Sequence, residues 1–202
     1  MLGCAFMGFA TSFREVVKER AILQRERAIG LSPGAYLGSK MAVLGLIGAL
    51  QAVVFCVLGT LGTPPPDDPV VLGAGLLEVA VALVAVTASI MALGLLVSAL
   101  ITNADRGMPI LVVVLLLQLV LCGSLFPVEG RAVVEQLSWL MPARWGYAMG
   151  VNTAGLPGGD VDPLWEHAAG PWLLGLGVQL ALVAVFAAAA RYALRARRPT
   201  RR

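Results

Sequence analysis

Apolar residues gather along this chain in long unbroken runs, and polar residues are confined to the gaps between them. Four runs, residues 41–61, 70–101, 108–126 and 171–190, approach or exceed the roughly 20 residues an α-helix needs to cross about 30 Å of hydrocarbon. They predict four full transmembrane helices, bounded by local punctuation at 35–61, 72–101, 108–126 and 171–190. A fifth run, residues 1–12, reaches only about 18 Å at about 1.5 Å per residue and cannot span alone. No basic residue precedes it and a basic block follows it, so it does not read as a secretory leader. It reads as the second half of a helix. The expectation is a chain that begins inside a span, either as a fragment or from a start codon assigned within a longer frame.

Between the partial run and the first full one, residues 13–31 form a dense block of mixed charge. Its arginines and lysine cost roughly 2.5–3.5 kcal/mol each at a bilayer centre, which places the block outside the hydrocarbon. At 3.6 residues per turn Phe13, Val16, Val17, Ala21, Leu23 and Ala28 fall on one face, with Arg14, Glu15, Lys18, Glu19, Arg25 and Glu26 pointing away. The prediction is one short amphipathic helix. Arg14 with Lys18 and Glu15 with Glu19 are like-charged pairs four residues apart, which disfavour an isolated helix and suggest charges aimed at a partner. A helix lying on anionic headgroups fits the same pattern equally well. Gly30 is placed to stop this helix in a left-handed cap, and Ser32-Pro33 reads as an N-cap with proline in the first turn of the next one. Lys40 then snorkels to the membrane surface.

Composition agrees with this class. Of 202 residues 58% are hydrophobic and 13% charged, against about 25% charged in soluble domains, and the mean hydropathy is +0.84. Lysine and arginine fall in the amphipathic block and the helix start after it, in the tight loop at Arg106, and in the tail from Arg191 to Arg202. These clusters lie an even number of crossings apart, so the positive-inside rule puts all three in the cytoplasm and the loops 62–69 and 127–170 outside. Only Arg131 and Arg144 depart from the pattern. The net charge of +3 is thereby explained by topology; it points to no nucleic acid, and the basic tail suits anionic membrane lipid. Cys4, Cys56 and Cys122 all lie in apolar runs and read as small core residues outside any disulfide framework.

The outer stretch after residue 127 carries Val133, Val134, Leu137, Leu140 and Met141 at helical spacing, with Trp139, Trp145 and Tyr147 as rings suited to headgroup depth. A helix dipping back into the bilayer to cap a pathway and an aromatic belt on the surface both fit, since re-entrant backbone is tolerated where protein or a wet cavity covers it. Gly155, Gly158 and Gly159 around Pro157 mark an irregular turn before Asp160. Within the spans, Glu78 near the outer interface and Gln51, Gln118 and Gln179 are the candidate pathway residues. Snorkelling for Glu78 and interhelical hydrogen bonding for the glutamines are the simpler roles.

Residues 34–40, Gly34-Ala-Tyr-Leu-Gly38-Ser-Lys40, do not have the spacing of a phosphate loop and follow no strand. His167 is the single histidine and lies in the outer loop, which leaves no catalytic residues and no metal cluster to assemble within the spans. The pairs Gly34/Gly38 and Gly146/Gly150 match a helix-packing spacing that arises easily in a glycine-rich chain.

The segment from Phe13 to Lys40, with Val-Val-Lys-Glu-Arg, Arg-Glu-Arg and Gly-Leu-Ser-Pro-x-Ala-Tyr-Leu-x-Ser-Lys, resembles the stretch between the second and third spans of the ABC-2 type permease domain, in its ABCG-like branch. Gly123-Ser-Leu-Phe-Pro127 and Trp139-Leu-Met-Pro142-Ala-Arg-Trp145 are similar to that family's re-entrant region after its fifth span. The resemblance covers nearly the whole chain as one permease domain, residues 1–202, without the first span and half of the second. It implies an all-α polytopic membrane protein in which the charged block is a coupling helix that docks on a cytoplasmic ATPase. Carried over, Glu15, Lys18, Glu19, Arg20, Arg25, Glu26 and Arg27 become the docking surface. It also implies ATP bound by a partner ATPase domain with no cofactor in this chain, a second permease half as homo- or heterodimer, export across the cell membrane, and a cytoplasmic C-terminus. A non-transporting membrane anchor that recruits a partner through the same helix is the rival; a membrane-embedded enzyme lacks paired catalytic groups.

Overall fold

The computed structural model describes residues 1–62, 66, 68–103, 107–125, 128, 130–156 and 162–196. Arg106, Phe126, Pro127, Gly158, Gly159, Asp160, the tail from Arg197 and most of the proline turn at 64–67 lie outside the described residues. Among the described residues the regular structure is helical: α1 (Leu2–Ser12), α2 (Glu15–Lys18), α3 (Arg20–Ala28), α4 (Pro33–Thr60), α5 (Gly75–Leu100), α6 (Gly107–Leu121), α7 (Ala132–Trp139), α8 (Pro142–Thr153) and α9 (Ala169–Ala196), with a single 3₁₀ turn at Pro163–Trp165. The helices α4, α5 and α9 are long and apolar enough to cross a membrane.

The centre of the bundle is α5. Of its most apolar stretch 61% is buried, against 17% for α4 and 28% for α9, so α4 and α9 present most of their surface to the outside of the bundle and α5 to its interior. Leu46, Leu50 and Leu58 on α4 are accordingly exposed. The short α1 packs along α5 with Cys4, Ala5, Phe9 and Ser12 wholly buried. Gly8 makes this approach possible, because a Cβ there would lie 2.6 Å from the Thr87 carbonyl oxygen. A half-length helix therefore sits at the core of the fold, where its small residues let two backbones meet.

Local signals set several boundaries. Ser32 accepts the Ala35 N–H at 3.1 Å, with Pro33 in the first turn of α4. Gly30, at φ +110°, ends α3 as only glycine readily can, while the Leu31 N–H returns to the Glu26 carbonyl at 3.0 Å. Other expectations are corrected. The charged block is two helices broken at Glu19. Phe13, Val16, Val17 and Leu23 are buried, while Ala21 and Ala28, at the margin of that face, are exposed. The third expected span stops early: α6 ends at Leu121 and the chain turns at Gly123, φ +89°, giving a helix of about 22 Å.

The stretch after α6 forms a helical hairpin of α7 and α8. Pro142 at the start of α8 is bonded to Gln179, ten residues into α9, whereas Thr153 at its end is bonded to Trp172, three residues in. The start of α8 therefore lies about 10 Å further along α9 than its end. Trp139 remains exposed. Trp145, expected among the headgroups, is instead buried against Ala92, Leu182 and Phe186, and its indole N–H donates to the Trp139 carbonyl at 2.9 Å.

Candidate functional site

At the basic end of the bundle, α2 and α3 are fastened to three spans. The first N–H groups of a helix need acceptors. Arg14, the N-cap of α2, supplies no side-chain bond. Ser98 of α5 takes that role across the bundle, its hydroxyl oxygen accepting the N–H groups of Val16 and Val17 at 3.0 and 3.1 Å. Toward α4, Lys40 donates to Glu15 at 3.1 Å and to Glu19 at 2.6 Å, and the Tyr36 hydroxyl donates to Glu19 at 2.9 Å. The Lys40 hydrogen bond holds the Glu19 carboxyl below its ordinary value of 4.5 against the opposing effect of burial. Toward α9, the Arg27 guanidinium donates to the Leu194 carbonyl at 2.8 Å, and Arg20 reaches the Thr102 carbonyl beyond α5 at 3.3 Å.

These contacts divide the expected docking residues. Glu15, Glu19, Arg20 and Arg27 turn toward the bundle and bind it. Lys18 and Arg25 are exposed and Glu26 is half-buried. Ile22 and Ile29, 56% and 87% exposed, complete an outward stripe with Lys18 and Arg25 at spacings of three and four residues, the period of one helix face. Sequence periodicity assigns the outward face to charged residues alone and passes over both isoleucines. The like-charged Glu15/Glu19 pair was itself the signal for a shared cation, which Lys40 supplies in place of snorkelling freely.

The polar residues of the spans are drawn into packing. Gln118 on α6 accepts the Ala143 N–H at 2.9 Å, and Gln179 on α9 donates to the Pro142 carbonyl at 2.8 Å. Ser89 of α5 donates to the Gln179 side chain. A helix end buried at membrane depth must have its backbone groups satisfied by protein, and these side chains do so for the start of α8. Glu78, fully buried, accepts the N–H groups of Val71 and Leu72 at 2.5 and 2.9 Å and the Thr153 hydroxyl at 3.0 Å, tying the loop before α5 to the end of α8. The Gln51 Oε1 is buried without a hydrogen-bond partner. The structure thus brings Gln118 and Gln179 together around α8 and leaves Glu78 and Gln51 apart from them. Arg144, one of the two arginines that depart from the charge rule, is buried and paired with Asp162 at 3.2 Å. Among the described residues no group of three or more histidine, cysteine, aspartate or glutamate side chains could hold a metal ion.

Residues 1–153, from α1 through the last residue of α8, match the ABC-2 type transporter family. The chain belongs to the ABC-2 type transporter family. It is also 34% identical over 201 residues to the ABC transporter ATP-binding/permease protein Rv1747 of Mycobacterium tuberculosis (strain ATCC 25618 / H37Rv), a similarity covering 96% of this chain and 23% of that protein. The chain therefore spans about a quarter of that relative's length. As an ABC-2 type membrane domain it is a transport component and not a catalytic one, and its apolar helices are those of an integral membrane protein.

Proposed function

We propose that this chain is the permease part of an ATP-driven exporter, and that the outward stripe of α2 and α3, formed by Lys18, Ile22, Arg25 and Ile29, is where an ATPase domain docks. The observation that carries this reading is the asymmetry of the α2–α3 pair. Its inward side is bound to α4, α5 and α9 through Lys40, Ser98 and Leu194, while its outward side exposes two isoleucines between cations. A push on that face tilts three spans as one body, which is what transmission of nucleotide-driven closure requires. Glu15, Glu19, Arg20 and Arg27 then act as the linkage to the spans, and Lys18 and Arg25, with Glu26 at the margin, as the charged rim around the apolar anchors. The Mycobacterium relative, named as an ATP-binding and permease protein in one chain, supports an ATPase partner, with ATP held there and not in this chain. In this reading the basic end is cytoplasmic, which puts the C-terminus inside the cell membrane, and a second permease half covers the exposed face of α6, where Val112, Val113 and Leu116 are uncovered. Export then proceeds between the two halves.

The test is the double variant Ile22→Asp/Ile29→Asp. Both side chains lie outside the packed bundle, so insertion and thermal stability should be retained while association with the ATPase domain and the ATP hydrolysis that depends on it are lost. Unchanged association would remove the docking assignment. Loss of α3 from the membrane surface with association intact would place the stripe on lipid.

A further inference from the structure

A cavity of about 320 Å³ lies between the α7–α8 hairpin and α9. Its walls are mostly apolar: Trp139 and Trp145 come from the hairpin, Pro163 and Leu164 from the 3₁₀ turn, and Leu174 and Val178, four residues apart on one face, from α9. The two indoles meet edge to face with centroids 6.0 Å apart. Trp139 and Leu174 are both more than half exposed, so the cavity is open between the hairpin and α9. Small-molecule pockets have this size and build, with a few polar groups fixing orientation inside an apolar wall.

The polar side chains of the lining are Arg144, Asp162 and Glu135, and the first two are almost fully committed to each other and to their neighbours. Arg144, 3% exposed, donates from Nη1 to the Ser138 hydroxyl and from Nη2 to Asp162 Oδ2 at 3.2 Å. Asp162 Oδ1 accepts the Leu164 N–H at 3.0 Å, and the Trp145 indole N–H is taken by the Trp139 carbonyl. Arg144 Nε is left buried without a hydrogen-bond partner. In the planar guanidinium fork the Nε–H shares an edge with Nη2, so it points along the side that meets Asp162, a fellow lining residue whose nearer oxygen is spent on Nη2 and whose other is turned to Leu164. Buried donors without partners are rare in folded proteins. This one is aimed at whatever fills the cavity.

Charge narrows the occupant. The Arg144 cation is offset by Asp162, and Glu135 adds a second carboxylate to the lining, so an anion is disfavoured. What the site lacks is an uncharged oxygen acceptor, and the apolar walls suit a hydrocarbon body behind it.

We propose that this cavity binds an uncharged amphiphile, its carbonyl oxygen accepting from Arg144 Nε and its hydrocarbon body lying between Trp139 and the Leu174–Val178 face of α9. The test is native mass spectrometry of the intact purified protein with methyl oleate, oleate or octadecene added separately. These are chains of similar length that carry an uncharged acceptor, an anion and no acceptor. Wild type should retain methyl oleate over both others. In Arg144→Lys the ammonium still reaches Asp162 but a methylene takes the place of Nε, so retention of methyl oleate should fall about tenfold, the worth of one hydrogen bond to a charged group. Leu174→Trp fills the cavity from a side chain that is half outside the packed bundle and should lower retention at least as far, which keeps the proposal testable if the lysine variant fails to insert. Wild-type retention of methyl oleate no better than that of oleate or octadecene would overturn the assignment and leave Nε to water. Undiminished retention by Arg144→Lys, or by Leu174→Trp, would overturn it as well.

Discussion

Replacing Lys40 with methionine removes the cation shared by Glu15 and Glu19 and nearly preserves side-chain volume. The two ion pairs, at 3.1 and 2.6 Å, would each be worth about 1–6 kcal/mol between water-like and surface-like screening. With 21% of the Lys40 side chain and 35% of the Glu19 side chain still exposed, solvent reduces this to about 1–2 kcal/mol net for the clamp. The single variant also leaves two carboxylates facing each other one turn apart, so Glu19→Gln introduced beside it should recover part of the loss. A double-mutant cycle over Lys40→Met and Glu19→Gln, read by reversible unfolding in mixed micelles, should give a coupling energy of about 1–2 kcal/mol. Hydrogen exchange should speed up in α2 and α3 while the centre of α5 stays protected. The pH dependence follows from the depressed Glu19 value. A carboxylate whose folded pKa lies below its unfolded one stabilises fully above the unfolded value and loses that contribution as pH falls through the folded one. The coupling should be constant through neutral pH and vanish in acid below the ordinary 4.5. A coupling energy near zero at pH 7, or one that grows on acidification, would refute the clamp.

Gln118→Leu leaves the Ala143 N–H unpaired at depth and should destabilise the protein by about 1–3 kcal/mol in the same unfolding assay, more than Gln51→Leu, which removes an oxygen already without a partner. Gly8→Ala forces a methyl to within 2.6 Å of the Thr87 carbonyl, a backbone atom that cannot swing aside, and should cost about 1–3 kcal/mol. Gly38→Ala, with nothing within 4 Å, should instead stabilise α4 by about 0.5–1 kcal/mol; loss of stability in both would show that the close α1–α5 approach is not what limits position 8. For orientation, a cysteine at Asp68 should react with an impermeant thiol reagent from outside the cell and one at Arg195 should not, with little background from the buried Cys4, Cys56 and Cys122; the reverse pattern would invert the topology.

The spans themselves were legible because membrane partition depends on the sum of side-chain transfer energies over about 20 residues, a property of composition alone. The caps at Ser32-Pro33 and Gly30 were legible for the same kind of reason: their hydrogen bonds close within five residues. What the linear pattern could not supply were partners distant in the chain. Ser98 caps α2 from 82 residues away, Ser89 reaches Gln179 across 90, and Glu78 meets Thr153 across 75. Glu19, at the break between α2 and α3, meets Lys40 and Tyr36 across 21 and 17 residues, and the exposure of Ile22 and Ile29 became visible only in the folded bundle. Trp145 had the composition of a headgroup ring and became core because the start of α8 is held deep by Gln118 and Gln179. By itself the sequence determined where the long apolar helices run and where their ends are capped, since hydrophobicity and local geometry act residue by residue. Tertiary structure alone decided which polar groups are spent on the fold and which remain for a partner, because a hydrogen bond made to one's own chain is no longer available to another.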